Sequence, residues 1–362
     1  MVNRKVLIMA AGTGGHVFPA LSIAKKLKAQ SIAVEWLGTP RGMENKLLAD
    51  VNIPLHCVSV KGLRGSGIMR KLLAPIMLFV ALIQSIVIIL KVNPDCVLGM
   101  GGFVSGPAGL AAKLLGKPLL IHEQNAIAGL TNRLLASSAT KVFEAFPGTF
   151  TKKKTVIFTG NPVRREILEV KKKQEQCSEL EIRLLVLGGS QGSLAINNVI
   201  PSLITNWSRP ENLLVFHQTG QISLKETIKR YKDLNIDLDS KCRVAPFFED
   251  MAAVYEWADI VVCRSGATTV SEISAVGLPS ILIPYPYHSD NQQNLNAQWL
   301  VKEKAATIIL QSEFSIKKLF EVLVEIISDQ EKLKTMAANA KGASIRDASE
   351  RIAQHCIQAC YD

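Results

Sequence analysis

Aromatic residues are scarce in this 362-residue chain, at 6%. No zinc-finger, KH or RNP pattern accompanies them, so nucleic acid is a disfavoured partner despite a formal net charge of +11. Charged residues are few as well, 20% against 48% hydrophobic, which excludes a disordered chain. The seven cysteines (Cys57, Cys96, Cys177, Cys242, Cys263, Cys356 and Cys360) are odd in number and include no C-x-x-C pair. Reduced core thiols in a cytoplasm fit that pattern better than a disulfide frame or a zinc site. A Walker A sequence is also missing, since Gly116-Lys117 is followed by Pro118. The first glycine loop lacks the dinucleotide fingerprint, because the third glycine of G-x-G-x-x-G falls at Val17. An NAD enzyme and a P-loop ATPase are thereby disfavoured. The apolar run at 6–11 is too short for a secretory signal core and reads as a first strand.

What is present is a pattern that starts twice. A strand at 5–11 leads into Gly12-Thr13-Gly14-Gly15-His16, then a helix from Pro19 and a strand at 33–37. Pro19 fits the first helical turn, where its missing N–H matters little. A second glycine loop, 99–107, follows a strand at 95–100, and a strand at 117–121 ends in His122-Glu123-Gln124-Asn125. After a Pro/Gly-bearing stretch and a polar run at 171–181, a strand at 183–187 opens onto Gly188-Gly189-Ser190-Gln191-Gly192. Strands and helices then alternate to a last helix at 345–360. The length also calls for two domains. The expectation is an α/β chain of two doubly wound, Rossmann-like halves, 1–163 and 164–341, with a terminal helix within 342–362 returning to cover the first.

Residues 72–90 are apolar apart from Pro75, Gln84 and Ser85, nearly the ~20 residues that span a bilayer. Topology argues for a crossover helix instead, because the strands on either side belong to one parallel sheet. Such a helix is apolar nearly all round, so its outer face should leave Ile76, Met77 and Phe79 exposed beside Arg64, Arg70 and Lys71. Greasy surface next to cations suits an anionic membrane surface.

The stretch 263–293 reads as strand end, Ser265-Gly266 turn, helix 267–276, strand, and a loop rich in amides. A helix start presents unpaired N–H groups and the positive end of its dipole, which attract phosphate. Glu272 on that helix and His288, Asp290, Gln292 and Gln293 beyond it suit a polyhydroxylated ligand. Together they suggest a nucleotide-diphosphate-sugar site; the alternative is an ordinary strand–turn–helix unit with a polar loop.

The segments GTGGHVFPALSIA, GMGGFVSGP, HEQNAIAGLTNR, GNPVR, GGSQG and CRSGATTVSEI with its downstream DNQQ occur in this order over nearly the whole chain. Together they resemble the GT-B glycosyltransferases that add N-acetylglucosamine to the lipid-linked muramoyl precursor of bacterial peptidoglycan. That resemblance implies two domains facing across a cleft. It also implies inverting transfer from UDP-N-acetylglucosamine to the 4-hydroxyl of the muramoyl sugar of undecaprenyl-diphosphate-linked lipid I, giving lipid II. The implied place is peripheral, on the cytoplasmic face of the bacterial inner membrane, with no cofactor. His16 is then the expected base and Glu123 its rival. Donor contacts are implied for Thr13, Gly14, Gly15, Asn125, Arg164, Ser190 and Phe248, for Ala267, Thr268, Thr269, Val270, Ser271 and Glu272, and for Gln292 and Gln293. Gly12, Gly14, Gly15, Gly101 and Gly102 are the implied acceptor-diphosphate loops.

No D-x-D metal motif stands at a strand end in the donor half, since Asp237 and Asp239 sit in a predicted surface loop. The diphosphate is therefore expected to rest on backbone N–H groups rather than a metal. Two departures from the resemblance stand out: Ala10-Ala11 where glycine is usual, and Phe103 where tyrosine is common. Rival readings are a UDP-N-acetylglucosamine 2-epimerase of the same fold and a non-catalytic membrane-associated nucleotide-sugar-binding scaffold.

Overall fold

A computed structural model describes residues 4–60, 74–150, 156–172, 181–189, 191–207, 212–238, 240–288 and 290–362. Arg64, Arg70, Lys71, residues 72–73, Cys177, Ser190 and Asp239 lie outside these residues. The chain divides into two compact units, Met1–Arg164 with Ile345–Asp362, and Arg165–Ser344.

In the first unit the elements run β1 (Lys5–Met9), α1 (Gly14–Ala29), β2 (Ala33–Gly38), α2 (Glu44–Ala49), β3 (Leu55–Cys57), α3 (Ala74–Val92) and β4 (Cys96–Gly99). There follow α4 (Gly102–Leu114), β5 (Leu119–Glu123), α5 (Leu130–Leu135), β6 (Lys141–Glu144) and β7 (Val156–Phe158). All seven strands are parallel, in the order β3-β2-β1-β4-β5-β6-β7. Side chains alternate across β1: Val6 and Ile8 enter one core, Leu7 and Met9 the other. Both faces of a parallel sheet must be covered. Residues of α1 fill the first core, and α3 and α4 the second. The last helix, α14 (Ala348–Ala359), adds Ile352, Ala353 and Cys356 to the α1 side.

The second unit holds α6 (Arg165–Leu168), β8 (Ile182–Leu187), α7 (Leu194–Thr205), β9 (Leu213–Gln218), α8 (Leu224–Asp233), β10 (Cys242–Ala245) and α9 (Met251–Trp257). Next come β11 (Ile260–Cys263), α10 (Ala267–Val276), β12 (Ser280–Leu282), α11 (Gln292–Lys302), β13 (Ala306–Ile308), α12 (Ile316–Ile327) and α13 (Gln330–Gly342). Its parallel sheet has the order β10-β9-β8-β11-β12-β13. Each sheet reverses its winding once, between β1 and β4 and between β8 and β11. At such a switch the flanking loops diverge and leave a crevice beyond the strands' carboxyl ends. The glycine loops sit at those two points.

Two details differ from expectation. Helix α1 begins at Gly14 rather than Pro19, so Pro19 lies inside the helix. The turn out of β1 is tight enough that the glycines already form the first turn, and the amides of His16 and Val17 close on the Thr13 carbonyl. Gln292 and Gln293 likewise open α11 instead of lying in a loop.

Among the described residues, α3 is the one helix long and apolar enough by length and composition to cross a membrane. It links β3 to β4, which run parallel in one sheet, so its path is that of a crossover. Ala81, Ser85, Ile89 and Val92 face inward, while Ile76 (64% exposed), Phe79 (63%), Val87 and Leu90 face out. Met77, expected in the exposed patch, is half-buried against the core.

Candidate active site

In the first unit the switch point gathers three strand ends. The loop after β1 carries Gly12 to His16, the loop after β4 carries Gly101 and Gly102, and β5 ends in Glu123. Gly101 and Gly102 have φ of +84° and +78°, and a Cβ on Gly102 would lie 2.9 Å from the Ala11 carbonyl oxygen. Only glycine allows this turn to approach the first loop so closely. The His16 imidazole packs against it, 3.3 Å from where a Cβ on Gly101 would stand.

The two candidate bases sit in very different settings. Glu123 is buried, and four donors point at it: the Asn125 and Gly129 amides at 3.0 Å, Asn125 Nδ2 at 3.1 Å and Asn132 Nδ2 at 2.9 Å. Four donors match the four lone-pair sites of a carboxylate. Glu123 therefore ties the loop 125–132 to the end of β5, and none of its acceptor positions is left to take a substrate proton. His16 is half-buried, and Nδ1 lies 2.8 Å from Gln124 Oε1. Behind it His122 is fully buried, and that burial pushes its imidazole down to about 4, so it is neutral. Arg164, at the end of the unit, places its guanidinium 4.8 Å from the Phe18 ring centroid on α1.

In the second unit β8 and β11 end side by side. Gly192 has φ of +80°, and a Cβ there would fall 2.0 Å from the Thr219 carbonyl oxygen, which packs the glycine loop directly on the strand-end backbone. Arg264, just past β11, holds this region together. One nitrogen donates to the Ile283 and Pro284 carbonyls, and the other to Ser193 Oγ and Gln311 Oε1. Ser193 in turn caps α7 through the Ile196 amide. Burial lowers the Arg264 guanidinium from its usual range.

Helix α10 starts at Ala267 after Gly266, so its first-turn amides lie where the two strands end. The Thr268 hydroxyl is buried with no hydrogen-bond partner among the described residues. Glu272 is buried on the same helix and accepts from the Tyr255 hydroxyl at 3.1 Å. Ser265 and Asn296 tie α11 to the turn: Ser265 Oγ donates to the Gln293 carbonyl, and Asn296 Nδ2 to the Ser265 carbonyl. Gln293 Oε1 accepts from the Tyr285 amide, which fixes its amide group. Phe248 is buried, with its N–H on Gln218 Oε1, while Gln218 Nε2 reaches the Gly189 carbonyl.

Thr13, Gly14, Gly15, His16, Gly101, Gly102, Glu123 and Asn125 are thus gathered at the first switch point. At the second stand Gly189, Gly192 and residues 267–272, joined through Ser265 and Asn296 to Gln293. Arg264, Gln124 and the Gly160-Asn161 pair stand within the sequence motifs, but sequence reasoning gave none of them a role of its own. The signal for Arg264 and Gln124 is positional: each directly follows a strand, where a polar side chain faces the crevice. Residues that hold other residues carry no pattern of their own.

The profile for the glycosyltransferase family 28 N-terminal domain matches residues 6–144, and that for the family 28 C-terminal domain matches 183–352. A UDP-N-acetylglucosamine--N-acetylmuramyl-(pentapeptide) pyrophosphoryl-undecaprenol N-acetylglucosamine transferase of Shewanella pealeana is 46% identical over 359 residues, covering 98% of this chain and 97% of the relative. The enzyme of the same name from Pseudomonas syringae pv. tomato is 44% identical over 360 residues, covering 99% and 100%. The crystal structure of Acinetobacter baumannii MurG aligns with a TM-score of 0.81 at 38% identity, covering 98% of this chain and 99% of that one. A putative UDP-N-acetylglucosamine 2-epimerase from Listeria monocytogenes, with a TM-score of 0.71 at 14% identity and coverage of 99% and 97%, is similar in fold alone. With both family 28 domains in order and near-complete coverage by these relatives, the chain belongs to glycosyltransferase family 28 and to its MurG group.

Proposed function

We propose that this chain transfers N-acetylglucosamine from UDP-N-acetylglucosamine to the 4-hydroxyl of the muramoyl sugar on undecaprenyl diphosphate. The observation that carries the reading is the 46% identity over 98% of the chain to a relative named for that transfer. In this reading the second unit binds the donor. The N–H groups at the start of α10 and that of Gly189 in the loop after β8 receive the diphosphate, and Glu272 takes the ribose hydroxyls. Phe248 reads the uracil edge through its carbonyl, its N–H being engaged by Gln218. The Gln292 and Gln293 amides meet the sugar hydroxyls. The glycine-rich helix starts of the first unit take the acceptor diphosphate.

Transfer from an α-linked donor to a β-1,4 product is one in-line displacement with an oxocarbenium-like transition state. A base must remove the hydroxyl proton as the new bond forms, and donors must stabilise the departing UDP. His16 supplies the base. Its Nδ1 is engaged by Gln124, so Nε2 is the nitrogen for the substrate. Fixed backbone dipoles supply the second requirement.

The reading extends to a peripheral position on an anionic leaflet. Ile76, Phe79, Val87 and Leu90 on α3, Leu110 and Leu114 on α4, and Leu130 and Leu134 on α5 are exposed on consecutive packed helices of one domain. Exposed apolar side chains in such number mark a binding surface, and a lipid-linked acceptor requires one near a membrane.

The test is transfer of radiolabelled N-acetylglucosamine from UDP-N-acetylglucosamine to a short-chain lipid I analogue, with and without EDTA. A lipid-linked disaccharide formed under both conditions is the expected product. Conversion of the donor alone to its 2-epimer, with no transfer, would replace this reading with the epimerase.

A further inference from the structure

The side chains behind His16 form a chain of hydrogen bonds in which each member's orientation is forced by the next. It begins at the Gly160 carbonyl oxygen, 3.0 Å from His122 Nε2. A carbonyl only accepts, so His122 Nε2 carries the hydrogen. His122 is fully buried and neutral, with its imidazole lowered to about 4 by desolvation, so Nδ1 holds a lone pair. Gln124 Nε2 stands 3.0 Å from that lone pair and 3.2 Å from the His122 carbonyl oxygen. Two acceptors, one of them a backbone carbonyl that cannot change role, face the same corner of the amide. That corner is therefore the NH2 group, and both its hydrogens are used.

The other corner, Oε1, faces His16 Nδ1 at 2.8 Å. The Gln124 backbone is itself held, its carbonyl accepting from Asn161 Nδ2 at 2.9 Å. We propose that Gln124, oriented by His122 and Gly160, is a positioning residue that holds His16 as the Nδ1–H tautomer with its Nε2 lone pair free for the acceptor proton. The inference rests on His16 acting as the base in the reading above, and it deepens that reading. The balance of the step is simple. The Nε2 lone pair takes the proton of the 4-hydroxyl, the oxygen's electron pair forms the bond to the anomeric carbon, and the bond to UDP breaks with its electrons on the diphosphate. The positive charge arising on His16 strengthens the bond from Nδ1–H to Gln124. Without Gln124 the neutral ring is free to carry its hydrogen on Nε2, which cannot act as a base. The Gly160-Asn161 segment thereby gains a role: its carbonyl sets the first tautomer, and its amide anchors the Gln124 backbone.

The experiment has two readouts. Long-range 15N–1H spectra of histidine-labelled full-length protein, with the His16 signal assigned by its loss in His16→Ala, report which nitrogen is protonated. The wild type is expected to show Nδ1–H at His16 and Nε2–H at His122. Gln124→Met, close in size and without hydrogen bonds at its end, should mix the His16 tautomers. It should also lower kcat roughly 10–100-fold, a part of the span a general base supplies, with the KM for UDP-N-acetylglucosamine within about twofold. A wild-type spectrum with Nε2–H at His16 overturns the proposal whether or not the variants fold. So does Gln124→Met with wild-type kcat. Because the tautomer is read without substrate, absence of transfer activity would instead refute the functional reading and leave the tautomer result standing.

Discussion

Replacing Glu123 by Gln separates the two candidate bases, because the structure makes the change a structural injury rather than a loss of proton transfer. The wild-type carboxylate receives four hydrogen bonds, two on each oxygen, and each oxygen takes one backbone amide. Glutamine presents one oxygen and one NH2 group. Whichever way it turns, one backbone N–H and one side-chain amide lose their acceptor and face a donor. Hydrogen bonds to a charged group are worth about 1.5–3 kcal/mol each, so two lost bonds cost roughly 3–6 kcal/mol. For a domain of this size that lowers the melting temperature by roughly 6–24 °C. By contrast, His16→Ala removes one bond, worth about 0.5–1.5 kcal/mol, and should melt within a few degrees of the wild type. Its turnover at saturating acceptor should fall by about 10²–10⁴. Calorimetric melts and single-turnover transfer rates on both variants give the comparison. If Glu123→Gln melts within about 1 °C of the wild type while losing more than about a hundredfold in rate, the four-bond argument is wrong and Glu123 is the base.

Stability should fall in mild acid through two buried histidines. Burial lowers His122 from 6.5 to about 4 and His217 from 6.5 to about 3, so below pH 6.5 the unfolded chain takes up protons that the folded chain refuses. The stability is whole above pH 6.5 and is lost at roughly 1.4 kcal/mol per pH unit per histidine down to those values. Urea midpoints at pH 7.5 and 5.5 measure the loss, and an imidazole of either residue titrating near 6.5 by NMR would contradict it. Gly192→Ala, with φ of +80° and a Cβ site 2.0 Å from the Thr219 carbonyl oxygen, should cost more than about 2 kcal/mol and displace the loop. The rise in melting temperature that UDP confers should shrink with it, and an unchanged rise would show that the loop does not hold the nucleotide. On the outer face of α3, Ile76→Glu with Phe79→Glu should leave the melting temperature within about 1 °C, since both side chains are exposed. The same pair should abolish co-sedimentation with anionic liposomes at low salt; retained binding would place the membrane contact elsewhere.

Much of this protein is written in local patterns. Apolar runs such as 5–11 and 260–263, each followed at once by a glycine turn, announce parallel strands whose ends carry loops, because a doubly covered strand must be apolar and the turn after it must be tight. The same local logic sets His16, Gly101, Gly102, Glu123 and the helix start at Ala267 at or just beyond strand ends. Residues 72–90 show where composition alone falls short. Length and hydropathy fit a membrane span and a crossover equally, and the parallel pairing of β2 with β3 and of β1 with β4 in one sheet decides for the crossover.

What only the tertiary structure decided is which polar side chain is free and which is spent. In sequence, Glu123 and His16 are both titratable residues at strand ends, and only the pKa range of an imidazole ranks His16 ahead. Folding brings the amides of Asn125 and Gly129 and the side chain of Asn132 around Glu123, and sets Gln124, His122 and Gly160 behind His16. Hydrogen-bond capacity is a property of the neighbours a group ends up with. Those neighbours come from three strand ends up to about 150 residues apart in the chain, brought together by the order in which the sheet is wound.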